Sequence, residues 1–137
     1  MNDSRFSVRN KVTLVSGGSR GIGRALAAGY YQSGAHVVIT GRDEATLKEA
    51  AGEIGSEDRP VETWVCDVAD VGAIQQMVDG VKSKFGNIDV LLNVAGVNIR
   101  QPAAEFTEEQ FDYVVDINLK GAFFVAQRVG RHMVEQG

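Results

Sequence analysis

The chain has 137 residues, of which 44% are hydrophobic and 23% are charged, the balance of an ordinary globular domain with its own core. The formal net charge is −4 and no lysine or arginine run is present, so neither a nucleic-acid partner nor a membrane surface is expected. A single cysteine, Cys66, argues against an intrachain disulfide or a cysteine-rich metal site, and without a signal peptide or membrane-spanning stretch it favours a cytoplasmic location.

The predicted elements begin after a polar tail over residues 1–10, so the folded domain is expected to span residues 11–137. Short apolar runs predict four strands, and a stretch with helical periodicity follows each of them. Asp43 and Asp70 precede the second and third helical stretches and are typical N-caps. The strands are predicted over residues 12–16, 37–40, 61–66 and 88–93.

The strands are largely apolar without polar alternation, which is typical of a parallel sheet covered by helices on both faces. Right-handed crossovers between such strands give a doubly wound, Rossmann-like α/β sheet, here with its first four βα units. In that strand order a fifth strand is expected beside the fourth. The apolar residues 90–92 are therefore expected at an exposed edge, and the chain is expected to be the N-terminal part of a longer protein.

Three spaced glycines connect the first strand to the first helix. Gly17 is expected to turn the chain out of the strand, Gly21 to let the backbone approach a pyrophosphate, and Gly23 to pack the helix on the sheet. Because backbone N–H groups and a helix N-terminus both favour a phosphate, this segment predicts a dinucleotide site. A glycine-rich turn that binds nothing is the alternative.

The residue after the second strand bears on the choice of cofactor. A carboxylate there would bind the ribose 2′-hydroxyl of NAD, whereas an arginine suits the 2′-phosphate of NADP. Arg42 occupies this place and Arg20 lies in the glycine loop, so two guanidinium groups could bind one phosphate. NADP is therefore predicted ahead of NAD, and two solvated surface arginines are the alternative.

Polar and small residues follow the third and fourth strands, at the edge where open α/β sheets bind ligands. Asp67 could accept a hydrogen bond from an adenine amino group, or could bond to its own backbone in a turn. Asn93, Ala95 and Gly96 end the fourth strand, where they would let a ribose and a nicotinamide lie across the backbone or would only terminate the strand. Cys66 is interpreted as a small buried hydrophobic residue.

The fourth helix begins with Thr107 and Gln110 in a capping-box arrangement. Its buried face is predicted to begin with apolar residues, and Asn118 occupies the next position, where an apolar residue is expected. Gly121 follows within a turn, so a local distortion of the helix is expected; a buried asparagine bonded to backbone is the alternative. The apolar residues of that face are Phe111, Val114 and Val115.

Taken in order, these motifs resemble the short-chain dehydrogenase/reductase family across nearly the whole chain. Two departures are visible, because the family usually has Thr at the position of Ser16 and a second Asn at the position of Val94. Residues 97–109 and 129–133 resemble sugar-acid members such as gluconate 5-dehydrogenase. The motifs that carry the resemblance are Ser16-Gly17 with Gly21-Ile22-Gly23, Asp67, Asn93 with Ala95-Gly96, and residues 117–121.

The resemblance implies an oxidoreductase that interconverts a secondary alcohol and a ketone on a sugar acid or a similar small polar substrate, and that forms homo-oligomers. It implies that Asn118 is catalytic, since the family's asparagine kinks its helix and helps to hold a water in a proton relay. The cofactor-binding residues predicted from the motifs and the resemblance together are Ser16, Gly17, Ser19, Arg20, Gly21, Ile22, Gly23, Arg42, Asp67, Val68, Asn93, Ala95 and Gly96. No metal is expected.

The family moves its proton with a Tyr that has a Lys four residues later, and none of Tyr30, Tyr31 and Tyr113 meets this spacing. The chain is therefore expected to hold the cofactor, to lack the proton-transfer residues and to be inactive alone. A truncated nucleotide-binding module without chemistry is the second hypothesis. A different Rossmann-like class, such as a methyltransferase, is the third, and it would be expected to carry an acidic residue near position 42.

Overall fold

The computed structural model describes residues 4–137 and contains a four-stranded parallel sheet. Its strands are β1 (Val12–Ser16), β2 (His36–Gly41), β3 (Glu62–Val65) and β4 (Val90–Asn93). They lie in the order β3-β2-β1-β4, so β1 has neighbours on both sides and β4 forms an edge. This order confirms the predicted doubly wound sheet and the predicted edge position of the fourth strand.

Helices connect the strands and follow the last one, and the predicted N-caps are confirmed. Asp43 and Asp70 each accept a backbone N–H of the first helical turn, and Thr107 forms the predicted capping box with Gln110. The helices are α1 (Gly21–Gln32), α2 (Glu44–Ile54), α3 (Val71–Phe85), α4 (Glu108–Val115) and α5 (Ala122–Gln136), with a π-helical segment (Asp116–Gly121) joining the last two.

The sheet separates two apolar clusters, as its double winding requires. On one face α1 and α2 pack Ala27, Leu47 and Ala50 against alternate residues of β1 and β2. On the other face α3 and α5 pack against the remaining alternate residues. The buried residues that α3 and α5 contribute are Ile74, Met77, Val78, Val81, Val125 and Val129.

The strand register brings the carboxyl ends of the strands to one edge. Ser16 of β1 is aligned with Thr40 of β2 on one side and with Asn93 of β4 on the other. On the far side of β2, Gly41 is aligned with Val65 of β3. Loops that leave these positions therefore meet above the same edge, which is where an open α/β sheet binds its ligands.

Some predicted strand ends are wrong. The second strand is one residue longer at each end than residues 37–40, whereas Val61, Cys66 and Ile88 lie outside their predicted strands. All three of these residues are nevertheless buried. An apolar run reports burial, while the end of a strand is set by backbone pairing, so the two do not coincide here.

The predicted buried face of the fourth helix is also wrong. Phe111 is 60% exposed, Val114 and Val115 are only half-buried, and α4 has no buried residue within the described chain. The reason is that α4 contacts mainly the π-helical segment that follows it, and the sheet is covered by α5 instead. Periodicity predicted that a face exists but not whether a partner covers it.

The N-terminal tail is only partly described, since residues 1–3 lie outside the described range. Ser4–Phe6 form a 3₁₀ turn, and the Asn10 N–H donates to the Gly34 carbonyl at 2.9 Å, next to β1. Across residues 4–137, no helix combines the length and apolar character needed to cross a membrane.

Candidate functional site

A cavity of about 640 Å³ opens at the carboxyl edge of the sheet. This volume lies within the range of small-molecule sites. Ser16, Gly21, Asn93 and Asn118 are not among the residues that line it. The predicted cofactor residues that do line it are Gly17, Ser19, Arg20, Ile22, Gly23, Arg42, Asp67, Val68, Ala95 and Gly96.

The glycine loop forms one wall of the cavity and is fixed by backbone contacts. Gly17 has φ +84°, which an L side chain rarely adopts, and this confirms its role in the turn out of β1. The N–H groups of Gly17 and Gly18 both donate to the Thr40 carbonyl, at 3.0 and 3.1 Å. A Cβ on Gly23 would collide with the Gly17 carbonyl oxygen. The third glycine therefore packs the helix against the loop itself, and not against the sheet as predicted.

The N-terminus of α1 faces this loop without a side-chain cap. Arg20 occupies the N-cap position in an extended conformation, and its side chain, which can only donate, does not cap the helix. Gly21 follows with φ +51°, and a Cβ there would meet nothing within 4 Å. Gly21 itself does not line the cavity, but Ile22 and Gly23 do. The first N–H groups of a helix have no intrahelical partner, so this uncapped start at the cavity wall suits an anion.

A buried hydroxyl on the cavity wall has no hydrogen-bond partner among residues 4–137. Thr40 Oγ1 belongs to a side chain that is 1% exposed, and Thr40 lines the cavity. Its register neighbour Ser16 is fully buried and its hydroxyl is also unpartnered, but it does not line the cavity. A buried polar group is normally hydrogen-bonded, so Thr40 is a group that a polar ligand could satisfy. Together with the uncapped helix, it fits a dinucleotide.

Arg42 and Asp43 follow β2, and Arg20 of the glycine loop lines the same cavity. Arg20 and Arg42 are exposed, line the cavity and form no ion pair with a carboxylate in the described part of the chain. Asp43 Oδ1 accepts the Thr46 N–H at 2.7 Å. The pKa of Asp43 is lowered first by this backbone hydrogen bond, then by the Thr46 side chain and by the charge of Arg20. Asp43, which also lines the cavity, uses one carboxylate oxygen in the helix cap, and its other oxygen can accept a further hydrogen bond.

Asp67, at the end of β3, combines the two interpretations that the sequence left open. Its Oδ1 accepts the Ala69 N–H at 3.0 Å, which is the turn bond, and the residue also lines the cavity. A carboxylate has two oxygens, so one turn bond leaves it able to accept another hydrogen bond. Cys66 beside it is 3% exposed, and burial, with the charges of Asp67 and Asp70, raises the pKa of its thiol to about 11. That environment agrees with the interpretation of Cys66 as an inert buried residue.

The segment after β4 contributes backbone and small side chains. Ala95 and Gly96 line the cavity together with Val94, whose N–H donates to the Ser16 carbonyl at 2.9 Å. Asn93 does not reach the cavity, because its Nδ2 donates to the Ala122 carbonyl at 2.8 Å. It therefore connects the end of β4 to the start of α5.

Asn118 lies in the π-helical segment, which confirms the expected distortion of this helix. Its Oδ1 accepts the Val97 N–H at 2.7 Å and its Nδ2 donates to the Val97 carbonyl at 2.8 Å. The side chain is thus bonded to backbone as the alternative had it, but it is exposed and not buried. Gly121 closes the segment, and a Cβ there would meet the Val68 carbonyl oxygen at 2.6 Å. The distortion brings the helix backbone directly against the cavity-lining loop.

Sequence reasoning missed functional candidates in this site. Thr40 carried a signal, since it is a polar residue at the end of an apolar strand, whereas Ile117, in the π-helical segment, is an apolar residue that lines the cavity. Tyr113 carried no signal: its hydroxyl accepts a hydrogen bond from Arg42 Nη1 at 3.0 Å, across 71 positions of sequence. A contact of that range depends on where α4 packs.

Comparison with known proteins identifies relatives of this chain. The family model described as short chain dehydrogenase matches residues 11–137. Gluconate 5-dehydrogenase of Gluconobacter oxydans is 39% identical over 132 residues, which are 96% of this chain and 52% of that protein. D-threitol dehydrogenase of Mycolicibacterium smegmatis is 36% identical over 98% of this chain and 52% of its own length. The crystal structure of gox2181 superposes with a TM-score of 0.93 at 35% identity, covering 99% of this chain and 53% of that one.

Relatives differ in the cofactor that their names give. A metagenomic short-chain oxidoreductase was solved in complex with NADP, with a TM-score of 0.87 and 32% identity over 95% of this chain and 59% of that one. The NAD-dependent glycerol dehydrogenase of Listeria innocua is 33% identical over 98% of this chain and 52% of its own. The chain thus spans about half the length of the curated relatives it matches.

Proposed function

Because this chain belongs to the short-chain dehydrogenase family, we propose that it is the cofactor-binding part of an NADP-dependent oxidoreductase. The proposed reaction interconverts a secondary alcohol and a ketone on a sugar acid or a similar small polar substrate. The bound nicotinamide would supply or accept the hydride. The relatives named for gluconate and D-threitol support a polyhydroxylated substrate.

The observation that carries the cofactor proposal is the charge at the end of β2. Arg20 and Arg42 line the cavity and form no ion pair in the described part of the chain, while Asp43, which also lines the cavity, has one carboxylate oxygen bonded in the cap of α2. Two guanidinium groups beside one partly bonded carboxylate leave an excess of positive charge in this part of the cavity, which suits a 2′-phosphate and so favours NADP.

Other groups at the cavity would each bind a different part of the dinucleotide. Uncapped N–H groups at the start of α1 would donate to the pyrophosphate, and Thr40 Oγ1 would gain its missing partner. Asp67 would accept a hydrogen bond from the adenine amino group. Ala95 and Gly96, which have little or no side chain, would let the nicotinamide half lie against the backbone.

The proton-transfer groups are proposed to lie outside the residues of this chain, which holds no Tyr with a Lys four residues later. Both polar groups of the Asn118 side-chain amide already bond to the backbone of Val97. Asn118 would therefore contribute to that chemistry through its position in the π-helical segment and not through a free amide group. A nucleotide-binding module without chemistry is the second candidate, and the missing Tyr–Lys pair is the observation that favours it. Turnover by a chain whose intact mass corresponds to residues 1–137 would contradict both the proposed inactivity of this part and the second candidate.

A pair of titrations tests the proposed cofactor. NADPH is expected to bind at least about tenfold more tightly than NADH, and Arg42→Gln is expected to remove most of that difference while NADH affinity stays unchanged. Arg131→Gln is the matched control, because Arg131 is exposed on α5 and does not line the cavity. Equal affinity of the unmodified protein for the two dinucleotides would contradict the NADP proposal.

We further propose that the protein assembles as a homo-oligomer in the cytoplasm. Exposed apolar side chains on the π-helical segment and α5 support assembly, namely Leu119, Phe123 and Val134. A single buried thiol supports a reducing compartment. Sedimentation of the protein gives the oligomeric state, and a monomer at micromolar concentration would contradict the first part.

A further inference from the structure

The contact between Arg42 and Tyr113 crosses the rim of the cavity. Arg42 Nη1 donates to the Tyr113 hydroxyl at 3.0 Å, and the guanidinium carbon lies 6.0 Å from the centre of the phenol ring. Arg42 lines the cavity, whereas Tyr113 stands outside the lining on α4 and is 40% exposed. The tyrosine therefore touches the site through the arginine.

The helix that carries Tyr113 is fixed well enough to hold a partner. Thr107 and Gln110 satisfy each other's backbone N–H groups in the capping box at its start. Gln101 donates to the Gln110 side chain and, at 3.2 Å, to the Glu105 carbonyl, which anchors the preceding loop. At its other end α4 continues directly into the π-helical segment. A long arginine side chain that bonds to this helix loses part of its rotamer freedom.

The bond to Tyr113 uses one of the five N–H donors of the guanidinium group, so the others stay available at the rim. We propose that Tyr113 is a positioning residue that holds Arg42 over the cavity and thereby strengthens the selection of a dinucleotide with a 2′-phosphate. This inference rests on the proposed NADP preference and adds to it. Restraining the arginine before binding reduces the ordering cost that the phosphate contact would otherwise carry.

The chain provides a matched control in a second tyrosine–arginine pair. The Arg59 guanidinium carbon lies 3.7 Å from the centre of the Tyr31 ring, and Tyr31 donates its hydroxyl proton to the Arg59 carbonyl at 2.9 Å. Neither residue lines the cavity. The Arg59 guanidinium donates to the Tyr31 backbone carbonyl and not to its hydroxyl, so removing the Tyr31 hydroxyl controls for the loss of a tyrosine hydroxyl beside an arginine away from the site.

Calorimetric titration with adenosine 2′,5′-bisphosphate and with adenosine 5′-monophosphate tests the proposal without any turnover. The ratio of the two affinities measures selection of the 2′-phosphate. Tyr113→Phe removes the hydrogen bond but keeps the ring, and it is expected to lower this ratio about threefold to fivefold, the size of one net hydrogen bond, at unchanged 5′-monophosphate affinity. Tyr31→Phe is expected to leave the ratio unchanged. In an Arg42→Gln background, Tyr113→Phe is expected to have no further effect on the ratio.

An unchanged ratio in Tyr113→Phe, or the same loss in the Arg42→Gln background, would overturn the role of Tyr113 while leaving the NADP proposal intact. Loss of 5′-monophosphate binding in Tyr113→Phe would show that the hydroxyl supports the fold, and would overturn it as well. A ratio near one in the unmodified protein would overturn both proposals, and the titrations with intact dinucleotides would then show the same lack of preference.

Discussion

The two sides of the cavity are held together by different means. On the β1–β2 side every β1 residue is buried, and the loop N–H groups of Gly17 and Gly18 bond to the Thr40 carbonyl. On the β4 side the strand is a partly exposed edge, and side-chain amides connect its surroundings to the long helix beside it. The first side depends on close backbone packing, whereas the second adds side-chain hydrogen bonds to its backbone pairing with β1. A single substitution should therefore cost more on the first side.

The amide connections of the β4 side form a regular set. Asn93 bonds to Ala122, and Asn118 bonds to both backbone groups of Val97, which follows the strand. The third amide, Gln136, bonds to both backbone groups of Ile88, which precedes the strand. Its Oε1 accepts the Ile88 N–H at 3.3 Å, and its Nε2 donates to the Ile88 carbonyl at 2.9 Å. The π-helical segment and α5 are thus hydrogen-bonded to residues before β4, at its end and after it.

The largest expected effect is in the glycine loop. Gly23→Ala is expected to destabilise the protein by about 3 kcal/mol and to abolish dinucleotide binding, because the new Cβ meets the rigid Gly17 carbonyl. Gly29→Ala lies on the same helix with nothing within 4 Å of its Cβ and is expected to be neutral or to stabilise by about 0.5–1 kcal/mol. Denaturant unfolding measures both. If the two variants had equal stability, backbone packing would not be what holds this side.

A smaller effect is expected on the β4 side. Asn118→Ala removes both hydrogen bonds to Val97 and is expected to cost about 1–2 kcal/mol, since the freed backbone groups are near solvent. Gln136→Ala is expected to cost about 1 kcal/mol or less, because one of its bonds to Ile88 is long, at 3.3 Å. Denaturant unfolding of both variants gives the order. A loss for Asn118→Ala as large as that for Gly23→Ala would remove the distinction between the two sides.

The smallest effect concerns the cap of α2 and appears only in acid. The pKa of Asp43 is lowered in the fold, so its stabilisation is present above the unfolded Asp pKa of about 3.9 and is lost as the pH falls through the folded value. Asn caps as well as Asp but does not titrate. Asp43→Asn is therefore expected to match the unmodified protein at pH 7 and to lose less stability between pH 4 and pH 2.

Asp58→Asn serves as the control for this titration, because Asp58 is an exposed carboxylate that caps no helix. Asp58→Asn is expected to lose the same stability between pH 4 and pH 2 as the unmodified protein. Thermal unfolding across the pH range measures all three proteins. If Asp43→Asn lost as much stability between pH 4 and pH 2 as the unmodified protein does, the cap bond would not depend on the charge of Asp43.

Features that depend on residues close together in the sequence were predicted correctly. The caps at Asp43 and Asp70 and the capping box at Thr107 depend on spacings of two or three residues, and the structure contains them. The turn at Gly17 likewise follows from a local backbone requirement. The sheet order was also predictable, because buried parallel strands with right-handed crossovers leave few arrangements.

The predictions that failed, or were not made, concern contacts between different parts of the fold. Phe111 has the periodicity of a buried residue, but α4 has no sheet to cover, so its ring stays exposed. The occupied amide of Asn118 and the link from Arg42 to Tyr113 both join segments far apart in sequence. The role of Gly23 was misassigned for a different reason: the nearest group to its Cβ position is a carbonyl only six residues back, and not the sheet.

The contact of Gly23 with the Gly17 carbonyl, together with the two N–H groups bonded to Thr40, bears on how the site could be redesigned. The loop, the first helical turn and the end of β2 form a single backbone unit, and none of its parts can be lengthened or moved alone. Engineering toward a different cofactor therefore has to use side chains that project from this unit. Arg20 and Arg42 are such positions, and each projects from the backbone that we propose to hold the pyrophosphate.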